Sequence, residues 1–293
     1  DDLCCINYTS GSTGNPKGVM LTARNISCNV DTIPKHFPYL RGENYLSMLP
    51  FAHIFGLLFD LVTCLCSGMH ITVLGMPPAP TILKDAMQQV RPRVIMMVPL
   101  VLNKMIEFSI GEFVNSRTGK ARLKDYSHHP EFCQALRTIA LSYLGGRCEV
   151  IMTGGAAIPV EIEELLITKL DIPLVTGYGM TECAPAIALA RLGHYKQRSC
   201  GEIVERMQAR INSEDPQKTI GELWVKGDNC FVGYYKNPDA DKEVFTEEGW
   251  FRTGDLGTLD SENTLFLVGR CKSMLLASNG QNVYPEEIEV KLN

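Results

Sequence analysis

Short apolar runs broken by glycine-bearing turns organise the first part of the chain. One run begins at Leu3, ends at Tyr8 before a glycine-rich segment, and resumes over residues 19–21, which predicts a strand, a loop, and then a strand or turn. Thr22 is placed to cap a helix over residues 23–33, and Thr81 one over residues 82–90, because a hydroxyl can accept from the free N–H groups of a first helical turn. Residues 93–98 form a continuous run of β-branched residues and methionine closed by Pro99, the pattern of a strand covered on both faces. Residues 149–152 repeat it before Thr153-Gly154-Gly155-Ala156. Pro159 then opens an amphipathic helix to Leu170, and residues 173–176 read as another short strand. Strands alternating with helices predict a doubly wound, mostly parallel α/β layer, with ligands gathered beyond the carboxyl ends of its strands. Gly154-Gly155 and Gly177-Tyr178-Gly179 both fall at such ends.

From about Gly201 the rhythm shortens. Residues 221–226, 231–235, 251–259 and 264–268 read as short strands joined by turns, a small antiparallel or β-barrel-like subdomain. The polar stretch 109–130, centred on Ser116-Arg117-Thr118-Gly119-Lys120, is expected to be an exposed loop or helix end. The apolar stretch 55–74 carries Asp60, Ser67, Gly68 and His70, so a buried helix and strand are expected there in place of a membrane span.

At 293 residues the chain can bury a sizeable core as one large domain or two smaller ones. A net charge of −5 argues against broad electrostatic capture of nucleic acid, while leaving room for a local basic pocket that holds phosphates. The 11 cysteines are scattered without Cys-x-x-Cys spacing, which points to reduced thiols in a cytoplasmic setting and away from structural zinc. The chain starts at Asp1 and stops at Asn293 just after a motif, so it is read as a fragment. Peripheral membrane association through segments outside it is left open.

The chemistry begins at Tyr8-Thr9-Ser10-Gly11-Ser12-Thr13-Gly14-Asn15-Pro16-Lys17-Gly18. Hydroxyls and freed N–H groups donate to anionic oxygens, glycines let the backbone approach closely, and Lys17 adds a mobile positive charge, which together make a phosphate grip. The order differs from the usual P-loop, where Gly-Lys-Ser/Thr closes the loop. Further along come Gly177-Tyr178-Gly179-Met180-Thr181-Glu182, Gly249-Trp250-Phe251-Arg252-Thr253-Gly254-Asp255, Gly269-Arg270-Cys271-Lys272, and a motif over residues 279–289. In that order these motifs resemble the adenylate-forming, AMP-binding superfamily, and among its members the long-chain fatty acid acyl-CoA synthetases.

The resemblance implies ATP, Mg²⁺ and CoA as reaction partners and a fatty acid as substrate. It implies that Thr9, Ser10, Gly11, Ser12, Thr13, Gly14 and Lys17 bind the β- and γ-phosphates, that Thr181 meets the α-phosphate, and that Glu182 holds Mg²⁺. Adenine would lie between Gly154-Gly155-Ala156 and Tyr178 within the Gly177-Tyr178-Gly179-Met180 motif, with Asp255 and Arg270 at the ribose. His53, Phe55 and Gly177 would line the acyl pocket, and Lys272 would be the interdomain hinge. Taken singly, Glu182 could be a helix-start carboxylate, Asp255 a turn residue, Arg270 a surface cation and His53 a packed structural histidine. The implied organisation is an α/β AMP-binding core over residues 1–200, a β subdomain over 201–268, and the hinge with the start of a C-terminal domain over 269–293. The lysine that relatives carry in that last domain has no counterpart, so the fragment is expected to bind nucleotide more readily than to turn over. Two alternatives stand beside CoA ligation: transfer of the acyl group to a carrier-protein phosphopantetheine, and a noncatalytic nucleotide-binding module.

Overall fold

The computed structural model describes residues 2–9 and 16–271, together with the backbone of Leu275–Leu276 and Asn282–Val283. The chain divides into a first unit of Asp1–Thr32, Ala52–Ile54 and Thr176–Asn293 and a second of Ile33–Phe51 and Phe55–Val175.

In the first unit, strands Leu3–Thr9 and Lys17–Thr22 pair antiparallel with Thr9 opposite Lys17. Thr22 caps the helix Ala23–His36 as its sequence position predicts. Its Oγ1 accepts from the Asn25 N–H at 3.3 Å while Asn25 Oδ1 accepts from the Thr22 N–H at 2.8 Å, a reciprocal capping pair. Asn25 and Asn29 then fasten this helix to distant chain. Asn25 Nδ2 donates to the carbonyls of Asp228 and Cys230, each at 2.8 Å. Asn29 Nδ2 donates to the Cys183 carbonyl at 3.3 Å, and its Oδ1 accepts from the Ala186 N–H at 3.1 Å.

Strand Leu174–Gly179, at which the chain passes from the second unit into the first, pairs antiparallel with Ala186–Leu189. Four further strands, Met207–Asn212, Gly221–Gly227, Phe251–Leu259 and Leu265–Arg270, make an antiparallel sheet in sequence order that stays open and does not close into a barrel. Residues 231–235, read above as a strand, form only an isolated antiparallel bridge, Tyr234 opposite Val19. Their apolar character serves a ring cluster instead, in which Phe231 packs against Tyr234, Phe245 and Phe251 with centroids 4.9, 5.1 and 5.2 Å away.

The second unit has the expected α/β character with parallel strands. Asn44–Ser47 pairs with His70–Val73, and Val94–Met97 with Val150–Gly154. Every residue of the latter pair is buried, as their unbroken apolar runs require. Helices Pro80–Val90, Pro99–Asn115 and Pro130–Tyr143 contribute Leu83, Leu102, Ile106 and Leu136 to a core shared with Met97 and Ile151. Each of these helices begins on a proline, whose missing N–H would have been unpaired there in any case. Thr81 accordingly sits inside its helix and Ala79 occupies the cap, which corrects the sequence reading.

The polar stretch 109–130 is largely exposed, and of the two forms expected it takes the helix end in place of the loop. The helix runs to Asn115, and Ser116 Oγ accepts from the Gly119 N–H at 2.9 Å to start a new one, Arg117–Lys124. Across 55–74 the chain forms π-helical Gly56–Val62, a helical turn Thr63–Cys66 and strand His70–Val73. Leu58 and Phe59 are buried, but the strand is largely exposed, contrary to the expectation of a buried one. Among the described residues no helix is long and apolar enough to cross a membrane. Asp60 lies fully buried within the π-helical stretch. Tyr45 donates its hydroxyl to Oδ1 at 2.7 Å, and the Met48 and Leu49 N–H groups donate to Oδ2, each at 3.0 Å. Burial pushes the Asp60 carboxyl up to about 6, against the downward pull of these bonds.

Candidate functional site

The motif ending at Glu182 is shaped by a strand that cannot continue. The strand stops at Gly179, Met180 stays extended, and Thr181–Cys183 form a tight 3-10 turn. Met180 N–H donates to the Pro185 carbonyl at 2.9 Å, and a Cβ on Gly179 would lie 2.0 Å from that same oxygen, so the turn needs glycine for close backbone approach. Thr181 is half-buried and Glu182 buried. Glu182 Oε1 accepts the Tyr234 hydroxyl at 2.8 Å, and the Glu182 carbonyl accepts the Phe231 N–H at 2.7 Å. Among the described residues no hydrogen bond reaches Oε2.

Lys17 is the first residue of its strand, and its amine lies 4.9 Å from the centroid of the Tyr234 ring. The segment carrying Tyr234 is sewn along the strand that follows Lys17. Tyr235 N–H donates to the Gly18 carbonyl at 2.7 Å, Met20 N–H to Gly233 at 3.1 Å, and Val232 N–H to Met20 at 3.2 Å. Burial pushes the Tyr234 phenol above its ordinary range and the Glu182 charge adds to the effect, so it stays a neutral donor.

Asp255 is placed by strand register, directly opposite Arg270, with Arg270 Nε 3.0 Å from Oδ1. Tyr178 donates its hydroxyl to Oδ2. The turn before Asp255 is fixed by Thr253 Oγ1, which accepts from the Asp255 N–H at 3.1 Å, and by Glu222 Oε1, which accepts from the Gly254 N–H at 3.2 Å. Burial pushes the Asp255 carboxyl above the usual carboxylate range, while the Tyr178 bond and the Arg270 charge pull it down. Each carboxylate oxygen keeps a further lone pair, so Asp255 can still accept from a diol.

Two groups of predicted residues are therefore assembled within the first unit: Lys17 with Glu182 through Tyr234, and Asp255 with Arg270 and Tyr178. Thr9 sits opposite Lys17 across the hairpin, and Gly177 lies half-buried in its strand. His53 is exposed on a turn, a setting unlike that of a packed structural histidine. In the second unit Gly154 ends its strand buried, Gly155 adopts φ +82° beyond it, and Ala156 is exposed. Phe55 meets Phe59 edge-on at 5.0 Å. Ser10, Gly11, Ser12, Thr13, Gly14 and Lys272 lie outside the described residues. The sequence reading did not single out Tyr234 or Glu222. A glycine before paired aromatics, Gly233-Tyr234-Tyr235, is the one local signal for Tyr234, and it names no partner.

The donor set suits the expected groups. A buried glutamate oxygen that takes no hydrogen bond among the described residues is a hard ligand of the kind Mg²⁺ takes when phosphates and water complete its shell.

The family model described as AMP-binding enzyme matches residues 1–235. The chain is 32% identical to a long-chain-fatty-acid-CoA ligase 2 of Schizosaccharomyces pombe, over 99% of this chain and 46% of that one. It is 28% identical to a long-chain-fatty-acid-[acyl-carrier-protein] ligase of Arabidopsis thaliana, over 99% of this chain and 47% of that one. Among solved structures it is similar to an O-succinylbenzoate coenzyme A synthetase of Bacillus subtilis in complex with ATP and magnesium ion. That match has 25% identity and a TM-score of 0.77, and covers 98% of this chain and 54% of the other. The chain spans about half the length of the curated relatives it matches.

Proposed function

The chain belongs to the AMP-binding enzyme family, and on that premise we propose that the protein activates a fatty acid with ATP and passes the acyl group to CoA. A carboxylate oxygen of the acid attacks the α-phosphorus, pyrophosphate leaves, and an acyl adenylate results. The thiol then loses its proton and attacks the acyl carbon, with AMP as leaving group. The first step gathers negative charge on the phosphates, so the protein's main task is to neutralise and orient it. Lys17, with Thr9, Ser10, Gly11, Ser12, Thr13 and Gly14 before it, serves the β- and γ-phosphates, Thr181 the α-phosphate, and Asp255 with Arg270 the ribose. Glu182 would hold Mg²⁺, which supplies Lewis-acid charge at the phosphate oxygens when bound. The observation that supports this reading is that Lys17 and Glu182 meet the same tyrosine, the cation at its ring and the anion at its hydroxyl.

The test is acid-dependent exchange of labelled pyrophosphate into ATP by the full-length protein, with short, medium and long fatty acids and aromatic acids. Exchange that grows with chain length supports the reading; no exchange with any acid would leave a noncatalytic nucleotide-binding module. The likeness to an acyl-carrier-protein ligase favours a second reading in which the acceptor is a phosphopantetheine. Supplying CoA and a holo carrier protein in parallel and identifying the thioester separates the two.

A further inference from the structure

We propose that Tyr234 is a positioning residue that keeps Lys17 and Glu182 from pairing with each other, so that both charges stay available for nucleotide and metal. The proposal rests on the reading of Glu182 as the Mg²⁺ carboxylate.

Tyr234 presents two different surfaces to two opposite charges. Its hydroxyl donates to Glu182 Oε1 at 2.8 Å, and its ring face receives the Lys17 ammonium at 4.9 Å. A hydrogen bond from a neutral phenol fixes one carboxylate oxygen without cancelling its charge, and the ring quadrupole holds a cation without a counter-ion. A half-buried lysine and a buried glutamate left alone would pair, because their attraction grows as water is excluded. Among the described residues Lys17 makes no ion pair.

The tyrosine is itself held on every side. It is 5% exposed, its N–H donates to Asp241 Oδ1 at 2.7 Å, and its ring meets that of Phe231 at 4.9 Å. Gly233 before it adopts φ +143°, where a Cβ would lie 2.9 Å from Asp241 Oδ2, so the approach of Asp241 to the Tyr234 amide depends on glycine. Asp241 in turn belongs to helix Pro238–Val244, whose Asn237 cap accepts from the Ala240 N–H at 3.2 Å.

The two surfaces can be removed separately. Tyr234→Phe keeps the ring and deletes the donor, whereas Tyr234→Leu deletes both. We would measure ATP binding by calorimetry in the presence of Mg²⁺ and again in EDTA, for the unmodified protein, both variants and Glu182→Gln, with thermal melts as the folding control. Tyr234→Phe is expected to weaken Mg²⁺-dependent ATP binding about tenfold through loss of one charge-assisted hydrogen bond, with binding in EDTA little changed. Tyr234→Leu should weaken binding in EDTA by about threefold as well, because Lys17 loses its ring and turns to Glu182. A folded Tyr234→Phe with unaltered Mg²⁺ dependence, or with equal losses under both conditions, overturns the proposal. If Glu182→Gln is also indifferent to Mg²⁺, the metal reading itself has failed. If Glu182→Gln responds while Tyr234→Phe does not, only the positioning role has failed. Should Tyr234→Leu not fold, the isosteric Tyr234→Phe still decides the matter.

Discussion

Asp60 and Glu182 are buried carboxylates in different units, and each receives a tyrosine hydroxyl on one oxygen, at 2.7 and 2.8 Å. They differ at the other oxygen. Asp60 Oδ2 takes two backbone N–H groups, so both of its oxygens are held by the chain's own fold. Glu182 Oε2 takes no hydrogen bond among the described residues. Burial alone therefore does not tell a structural carboxylate from a functional one. A closed set of partners marks a clamp, and an open oxygen marks a place where something else can bind.

The comparison breaks most sharply at Asp60. Asp60→Ala strands the Tyr45 hydroxyl and two amides in the interior and is expected to cost about 3–6 kcal/mol of stability, measured by chemical denaturation of the protein. A loss under about 1 kcal/mol would show that water or local rearrangement replaces the clamp.

The next effect is on pH. The Asp60 carboxyl is pushed up from 3.8 to about 6 in the folded state, so between those values the folded protein holds a proton that the unfolded chain has released. Stability is then highest below about pH 4 as far as this group is concerned, and it falls by about 3 kcal/mol as pH rises through 6. Asp60→Asn keeps an oxygen for the two amides and offers its own N–H to the Tyr45 oxygen, so its stability should be flat across that window. Persistence of the slope in Asp60→Asn would assign it to another group.

Glu182→Gln should leave stability nearly unchanged and lower Mg²⁺-dependent ATP affinity about a hundredfold. A large loss of stability without a change in metal dependence would make Glu182 a second clamp and erase the contrast. The smallest effect is expected at Arg270, whose side chain is 61% exposed although it pairs with buried Asp255. Arg270→Ala should shift stability by less than about 1 kcal/mol. It should also raise the Asp255 pKa further, because the Arg270 charge now pulls it down, and titration followed by NMR would detect that.

Much of this arrangement is legible in the sequence where the cause is local. The Thr22 cap, the buried runs at 94–97 and 150–154, and the turn at Gly179 all follow from residues a few positions apart. Ordered motifs also brought out Lys17, Glu182 and Asp255. What they could not give is how these residues are held. Tyr234 reaches Glu182 across 52 positions, and Arg270 becomes a partner of Asp255 only through the register of two strands. Residues 231–235 were only half legible for the same reason: their apolar run signals pairing, which is a single bridge to Val19, and hides the ring cluster that buries Phe231. At Ser116 the helix end was legible, and the new helix that its hydroxyl caps was not.

The hold that Asn25 has on the carbonyls of Asp228 and Cys230, 203 and 205 positions further on, sets an order for the birth of the molecule. At roughly 5–20 residues per second, the ribosome needs about 10–40 seconds after making Asn25 before its partners exist. For that interval Val19 and Leu21, later fully buried, have no packing surface from residues 228–235 to rest on. The second unit, drawn from residues 33–51 and 55–175, is synthesised whole within the same interval. Nascent chains stalled soon after residue 200 should thus carry a protease-resistant span within residues 33–175 and a vulnerable hairpin of residues 3–22, which is the segment a chaperone would be expected to guard.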